Sequence, residues 1–144
     1  MSDRQTTEIV LAYGHENIQA THPSTLMFTK EKHLSKRGDC IVAVAANKAA
    51  ADLSLELKEK LKKPNAELIM TIEADGLTQQ IHALGSPKLF LTNQTDMVIR
   101  KGDYISDRTL AVHADKSSID LPREFVEELK NPEQKIKITL IVHA

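Results

Sequence analysis

GDCIVAVAANKAAADLSLELKEKLKKPNAELIMTIE, residues 38 to 73, lies without a gap on SDRTLAVHADKSSIDLPREFVEELKNPEQKIKITLI, residues 106 to 141, when the chain is shifted by 68 positions. Thirteen of the 36 pairs are identical, among them Asp39/Asp107, Ala43/Ala111, Lys48/Lys116, Asp52/Asp120, Leu61/Leu129, Pro64/Pro132 and Thr71/Thr139. Self-similarity of this extent predicts a duplicated unit of about 70 residues. Positions kept in both copies serve the shared framework. A polar residue present in one copy only is a candidate for chemistry.

The end of each unit reads as helix then strand. Leu53, Leu57 and Leu61 recur at spacing four, as do Phe125 and Leu129, each stripe flanked by Glu and Lys, which is the apolar face of a short helix. Asp52 and Asp120 stand where an N-cap belongs, Pro122 falls in the first turn, and Pro64 and Pro132 stop both helices. Beyond them Leu68, Met70 and Ile72, and Ile136, Ile138, Leu140 and Val142, alternate with polar residues, the period of a strand with one wet face. Upstream, 40–45 and 109–114 read as buried strands, and 27–30 and 97–100 as a further matching pair. Strands at 8–13 and 89–91 complete a unit of the form β-β-β-α-β. The expected fold is α+β and β-rich: one domain over residues 1 to 144, with the two units closing into a pseudo-twofold barrel or a two-layer sandwich, because closure or layering removes exposed edges. The turn at Ala74-Asp75-Gly76 is the one candidate boundary.

Composition narrows the function classes. With 144 residues and 41% hydrophobic side chains the chain can build one ordinary core. A net charge of −1 and a pI near 6.6 lack the basic excess of a protein that holds long nucleic acid, and five aromatic residues make few stacking platforms. No stretch approaches 18 apolar residues, and MSDRQTTEIVLAYG lacks the build of a signal peptide. The expectation is a cytoplasmic protein with no membrane partner, its oligomeric state left open. Cys40 is the single cysteine, in keeping with a reducing compartment.

The densest polar cluster, Gly14-His15-Glu16-Asn17 followed by Thr21-His22-Pro23, is matched in the second half only by Gly85-Ser86-Pro87. At a strand end, an imidazole beside a carboxylate is a fit general base; the plain alternative is a hydrogen-bonded turn. Cys40, next to Asp39, is either a nucleophile or a buried apolar residue. His15, His22 and Cys40 match no metal-ligand spacing, so no metal is assigned and the cofactor stays open. Arg100-Lys101 and Arg108 form basic turns in the second half, suited to a phosphate or carboxylate, with solvated turns as the alternative.

Gly14-His15-Glu16-Asn17, Ala20-Thr21-His22, Thr25 with Thr29-Lys30, Gly38-Asp39-Cys40-Ile41, Arg100-Lys101, Asp107-Arg108-Thr109-Leu110 and Ala114-Asp115-Lys116 together resemble the archaeal family known as domain of unknown function 371, over about residues 8 to 142. Met27 departs from that pattern, where an acidic residue is usual, as does Gly102, where serine is usual. The resemblance implies a small archaeal cytosolic protein with a β-rich fold and supplies no activity. The residues themselves lead to a pocket at the junction of the halves. It would be lined by His15, Glu16, Asn17, His22 and Cys40 from the first half and by Arg100, Lys101 and Arg108 from the second. Such a pocket fits hydrolysis or group transfer on an anionic, phosphate-bearing small molecule by general acid-base catalysis. The alternative is a non-enzymatic module that docks on RNA or the translation apparatus through the same basic turns.

Overall fold

The computed structural model describes residues 5 to 144; the reading of the amino-terminal stretch falls partly on residues 1 to 4, outside the described residues. Its strands are β1 (Gln5–Tyr13), β2 (Thr25–Thr29), β3 (Ile41–Ala43), β4 (Glu67–Ala74), β5 (Leu77–Leu84), β6 (Asp96–Arg100), β7 (Thr109–Ala111) and β8 (Lys135–His143). Helix α1 (Leu55–Leu61) lies between β3 and β4, and α2 (Arg123–Leu129) between β7 and β8, each preceded by a 3₁₀ turn, Ala50–Asp52 and Ser118–Asp120. The chain thus runs twice through the order strand, strand, strand, 3₁₀ turn, helix, strand.

The strands form two four-stranded sheets, in the orders β1-β8-β4-β5 and β3-β2-β6-β7. The first is antiparallel throughout. The second is mixed, with β2 and β6 antiparallel at its centre and β3 and β7 parallel at its edges. Both sheets take strands from both halves. Alternation in the first sheet turns Val10, Leu68, Met70, Ile72, Ile81, Ile136, Ile138 and Leu140 into one core with Leu26, Phe28, Met97 and Ile99 of the second, and Leu57, Leu61, Phe125 and Leu129 of the helices join it. The sheets touch at both pairs of edges, through the single bridges Tyr13–Val44 and Leu84–Val112. No ladder continues through either bridge, so there is no closed barrel among the described residues. The backbone explains the interruption: Ala45 and His113, next after the bridging valines, both stand at φ 52°, a left-handed conformation that turns the chain out of a strand.

Three local expectations are corrected. Asp52 and Asp120 cap no α-helix. Their carboxylates accept the N–H of Ala49 and of Ser117 and so close the 3₁₀ turns, while Ser54 caps α1 by accepting from the Leu57 N–H. Residues 89 to 91 form no strand; that strand is Leu77–Leu84. Asp75 and Gly76, at φ 50° and 78°, make the two-residue turn whose twist suits a hairpin, so the candidate boundary at residues 74 to 76 is a tight link between paired strands.

Two glycines set how the halves meet. A Cβ on Gly14 would lie 2.3 Å from the carbonyl oxygens of both Leu129 and Asn131, and one on Gly85 would lie 2.1 Å from that of Leu61. The end of β1 therefore runs against the carboxyl end of α2, and the end of β5 against that of α1. The N–H groups of His15 and Ser86 donate to Leu129 O and Leu61 O, each at 2.9 Å, satisfying carbonyls that a helix end leaves without partners. Replacing Gly14 by Ala puts a methyl group into backbone that cannot give way, so urea unfolding should show a loss of about 1–3 kcal/mol. An unchanged midpoint would show that the contact is slack.

Candidate functional site

Beyond Gly14 the chain turns twice before β2, and histidines shape both turns. The Asn17 N–H donates to His15 Nδ1 at 3.0 Å, and the N–H groups of Ser24 and Thr25 donate to His22 Nδ1, each at 3.1 Å. In the second half Ser86 Oγ accepts from the Lys88 N–H, and Asn93 Oδ1 accepts from those of Thr95 and Asp96. Turns closed in this way are ordinary work for Ser and Asn. An Nδ1 that accepts puts the ring hydrogen of a neutral imidazole on Nε2, so His15 and His22 present a donor on their free side. Asn17 donates from Nδ2 to Leu34 O at 2.7 Å, and Glu16 is exposed. Among the described residues no hydrogen bond or ion pair joins His15, Glu16 or Asn17 to Cys40, Arg100 or Arg108.

His22 leads somewhere else. Thr25, whose amide it binds, opens β2 and faces Arg100 at the end of β6. There Arg100 donates from Nε to Thr109 Oγ1 at 3.0 Å and from Nη2 to Ser106 Oγ at 3.3 Å, and its guanidinium sits 4.9 Å from the centre of the Tyr104 ring. Burial lowers its pKa, and the nearby Arg108 guanidinium adds to the effect. Arg108 donates from Nη1 to Asp96 Oδ2 at 3.1 Å and lies 3.6 Å from Met27 Sδ. Lys101 pairs with Asp120 at 2.7 Å, and Lys30 pairs with Asp52. Arg100 alone of these four cations has no carboxylate partner among the described residues. Beside it opens a cleft of about 220 Å³, lined by Ser24, Thr25, Arg100, Gly102, Asp103 and Tyr104.

Cys40 immediately precedes β3 at the edge of this group and packs partly against the core. Burial pushes its thiol up, and the Thr25 hydroxyl and Arg108 guanidinium offset only part of that rise. It is no ready thiolate. Among the described residues no group of three or more His, Cys, Asp or Glu is placed to hold a metal ion. A second cleft of about 310 Å³ lies across the other sheet edge, where His82, His113, Asp115 and Glu67 rim an apolar floor.

The structure thus brings Cys40, His22, Arg100 and Arg108 into one neighbourhood with Thr25, ties Lys101 to Asp120, and leaves His15, Glu16 and Asn17 in a separate turn. The missed residues are Thr25, Asp96, Ser106, Thr109, Tyr104 and Asp103. Thr25 and Asp96 carried a signal in their spacing: Thr25, Met27 and Thr29 alternate with Leu26 and Phe28, and Asp96, Val98 and Arg100 with Met97 and Ile99, so the two sets share one face of the paired strands.

The family model described as a domain of unknown function (DUF371) matches residues 10 to 143. The chain belongs to this family. An uncharacterized protein of Methanocaldococcus jannaschii is 44% identical to it over 128 residues, which cover 89% of this chain and 94% of that protein. Two positions expected from the sequence to differ from the family pattern lie near this group. Met27 lies under the Arg108 guanidinium, and Gly102 lines the cleft with open space where a Cβ would go.

Two measurements test these assignments. If His22 is a turn acceptor, His22→Asn should hold the urea midpoint within about 0.5 kcal/mol of the parent, and His22→Ala should cost about 1 kcal/mol or more. Equal losses would deny the ring this role. Iodoacetamide alkylation of Cys40 should keep accelerating past about pH 10, where an exposed thiol of ordinary pKa has levelled off; a plateau below about pH 8 would reveal an activated thiolate.

Proposed function

We propose that the cleft between the start of β2 and the end of β6 binds an anionic, phosphate-bearing ligand through Arg100, with Arg108 adding positive potential from behind. The observation that carries this is the charge balance. Arg108, Lys101 and Lys30 each face a carboxylate, whereas the half-buried Arg100 is held by two hydroxyls and a ring. Desolvation and a like-charged neighbour both disfavour its charged form, and an anion in the cleft reverses that cost. Guanidinium nitrogens in a fixed plane also suit phosphate oxygens better than an ammonium does.

Binding is better supported than turnover. Hydrolysis or group transfer needs a proton acceptor beside the ligand, and neither His22 nor Cys40, the two candidates nearest the cleft, is free to be one. The Nδ1 of His22 is committed to two amides, and the Cys40 thiol is held protonated by burial. His15, Glu16 and Asn17 enter this reading as turn residues. It also takes the two halves as copies of one unit: Thr71 faces Thr139 where β4 meets β8, and Met27 faces Val98 where β2 meets β6, as two-fold relatives meeting at an axis would.

Titration of ¹⁵N-labelled protein with inorganic phosphate tests the site. Amide shifts should concentrate at residues 24, 25 and 100 to 104, and Arg100→Gln should weaken binding by ~10-fold, about 1.4 kcal/mol, while the backbone spectrum stays otherwise intact. Shifts spread over the surface, or a variant that binds as well as the parent, would remove the proposal.

A further inference from the structure

The rim of this cleft holds a feature that phosphate alone does not use. Tyr104 is 66% exposed, although its inner face is covered by the Arg100 guanidinium. A large aromatic side chain left mostly in water, with a cation under one face, presents its other face as a flat apolar platform. Aromatic rings and arginine planes of this kind stack bases, and stacking tolerates any base because each has a π-face. Next in sequence, Asp103 lines the same cleft, and its carboxylate makes no ion pair among the described residues, so it is open to accept from hydroxyl or amine groups. On the inner side stand Arg100 and the hydroxyl-bearing Ser24 and Thr25. At Gly102 an added Cβ would meet nothing within 4 Å, so the floor of the cleft has room for a ligand to lie along the backbone. One cleft thus carries a cation, hydroxyl groups, a carboxylate-bearing residue and an open aromatic face, with the cation stacked on the ring.

We infer that the ligand of this cleft is a nucleotide unit, its phosphate on Arg100, its sugar hydroxyls against Asp103 and its base stacked on the outer face of Tyr104. This rests on the anion-binding reading of the cleft and names its ligand class. A volume of about 220 Å³ takes the phosphate and part of the sugar, which leaves the base at the rim where Tyr104 is. The same chemistry is offered by a free mononucleotide and by one residue of a single-stranded RNA. A chain with a net charge of −1 lacks a long basic track for many phosphates, so a single nucleotide contact is what its charge balance allows.

Calorimetric titration with ribose 5-phosphate, AMP and a hexa-adenylate RNA separates the terms. AMP should bind ~10-fold tighter than ribose 5-phosphate, the gain of one stacked base. Tyr104→Leu should abolish that difference, so that AMP binds the variant no tighter than ribose 5-phosphate does. Gly102→Leu, whose side chain grows into open space, should abolish binding of both with the melting temperature held. A hexanucleotide that binds tighter per molecule than AMP assigns the site to a strand of RNA, and equal affinity assigns it to the free nucleotide. Should AMP and ribose 5-phosphate bind alike, or Tyr104→Leu change neither, the base platform is refuted while the anion site stands. If none of the phosphate compounds binds, the anion reading falls as well.

Discussion

The close approach of each strand end to the helix of the opposite half is the constraint on which the rest depends. Gly14 and Gly85 have no Cβ, so β1 and β5 can run against the carbonyl oxygens at the ends of α2 and α1. That contact fixes the position of the loops which leave those strands, and through them the start of β2 and β6. The second half ties the first loop down further. Ser118, fully buried, accepts from the His22 N–H, and Arg123 donates to Ala20 O at 2.9 Å. The residue opening the cleft, Thr25, is thus placed by both halves.

Electrostatics then distinguishes the cleft from the many other polar surfaces of the chain. Most exposed ion pairs contribute little to stability, and those of Lys101 with Asp120 and Lys30 with Asp52 matter here for another reason. They pair both lysines and leave Arg100, of the four cations Lys30, Arg100, Lys101 and Arg108, without a carboxylate partner among the described residues. Both acids lie below the usual carboxylate range because of these lysines, so the neutralisation persists through neutral pH and is lost only as pH falls through the acid range. Asp96 supports the arrangement from the other side: one oxygen holds Arg108, and the other, Oδ1, is buried and accepts no hydrogen bond among the described residues.

How much of this was legible in the sequence follows from the range of each interaction. Period-two alternation in 136–142 and the leucine spacing of 53–61 are local, and they gave strand and helix directly. The strand at 77–84 was missed because only Ile81 and Ala83 face the core, too few apolar residues to outweigh Gln79, Gln80 and His82, although the Asp75-Gly76 pair before it was a hairpin signal. The candidate site was legible by residue type, whereas its local geometry was not. His15 and His22 differ from Ser86 and Asn93 chemically, yet the backbone uses all four as acceptors for nearby amides. Asymmetry between halves marked them out, and only coordinates show that a ring nitrogen can do the work of a hydroxyl or an amide oxygen. Arg100 and Arg108 were named from charge; their unequal pairing depends on Asp96, a contact across twelve residues of chain that no spacing rule reveals.

The pairing of β1 with β8 has a consequence for how the molecule is made. Residues 5 to 13 find their ladder partners only in residues 135 to 143. During synthesis the first strand leaves the ribosome with its alternating apolar residues unpaired, and it must wait for nearly the whole chain to follow. The β4–β5 hairpin can form early because its partners are neighbours, whereas the sheet that contains it is completed last. Contacts of such long sequence separation slow folding and lengthen the time in which a bare strand edge can meet another chain, so the burden of avoiding aggregation falls on β1 before any ligand site exists.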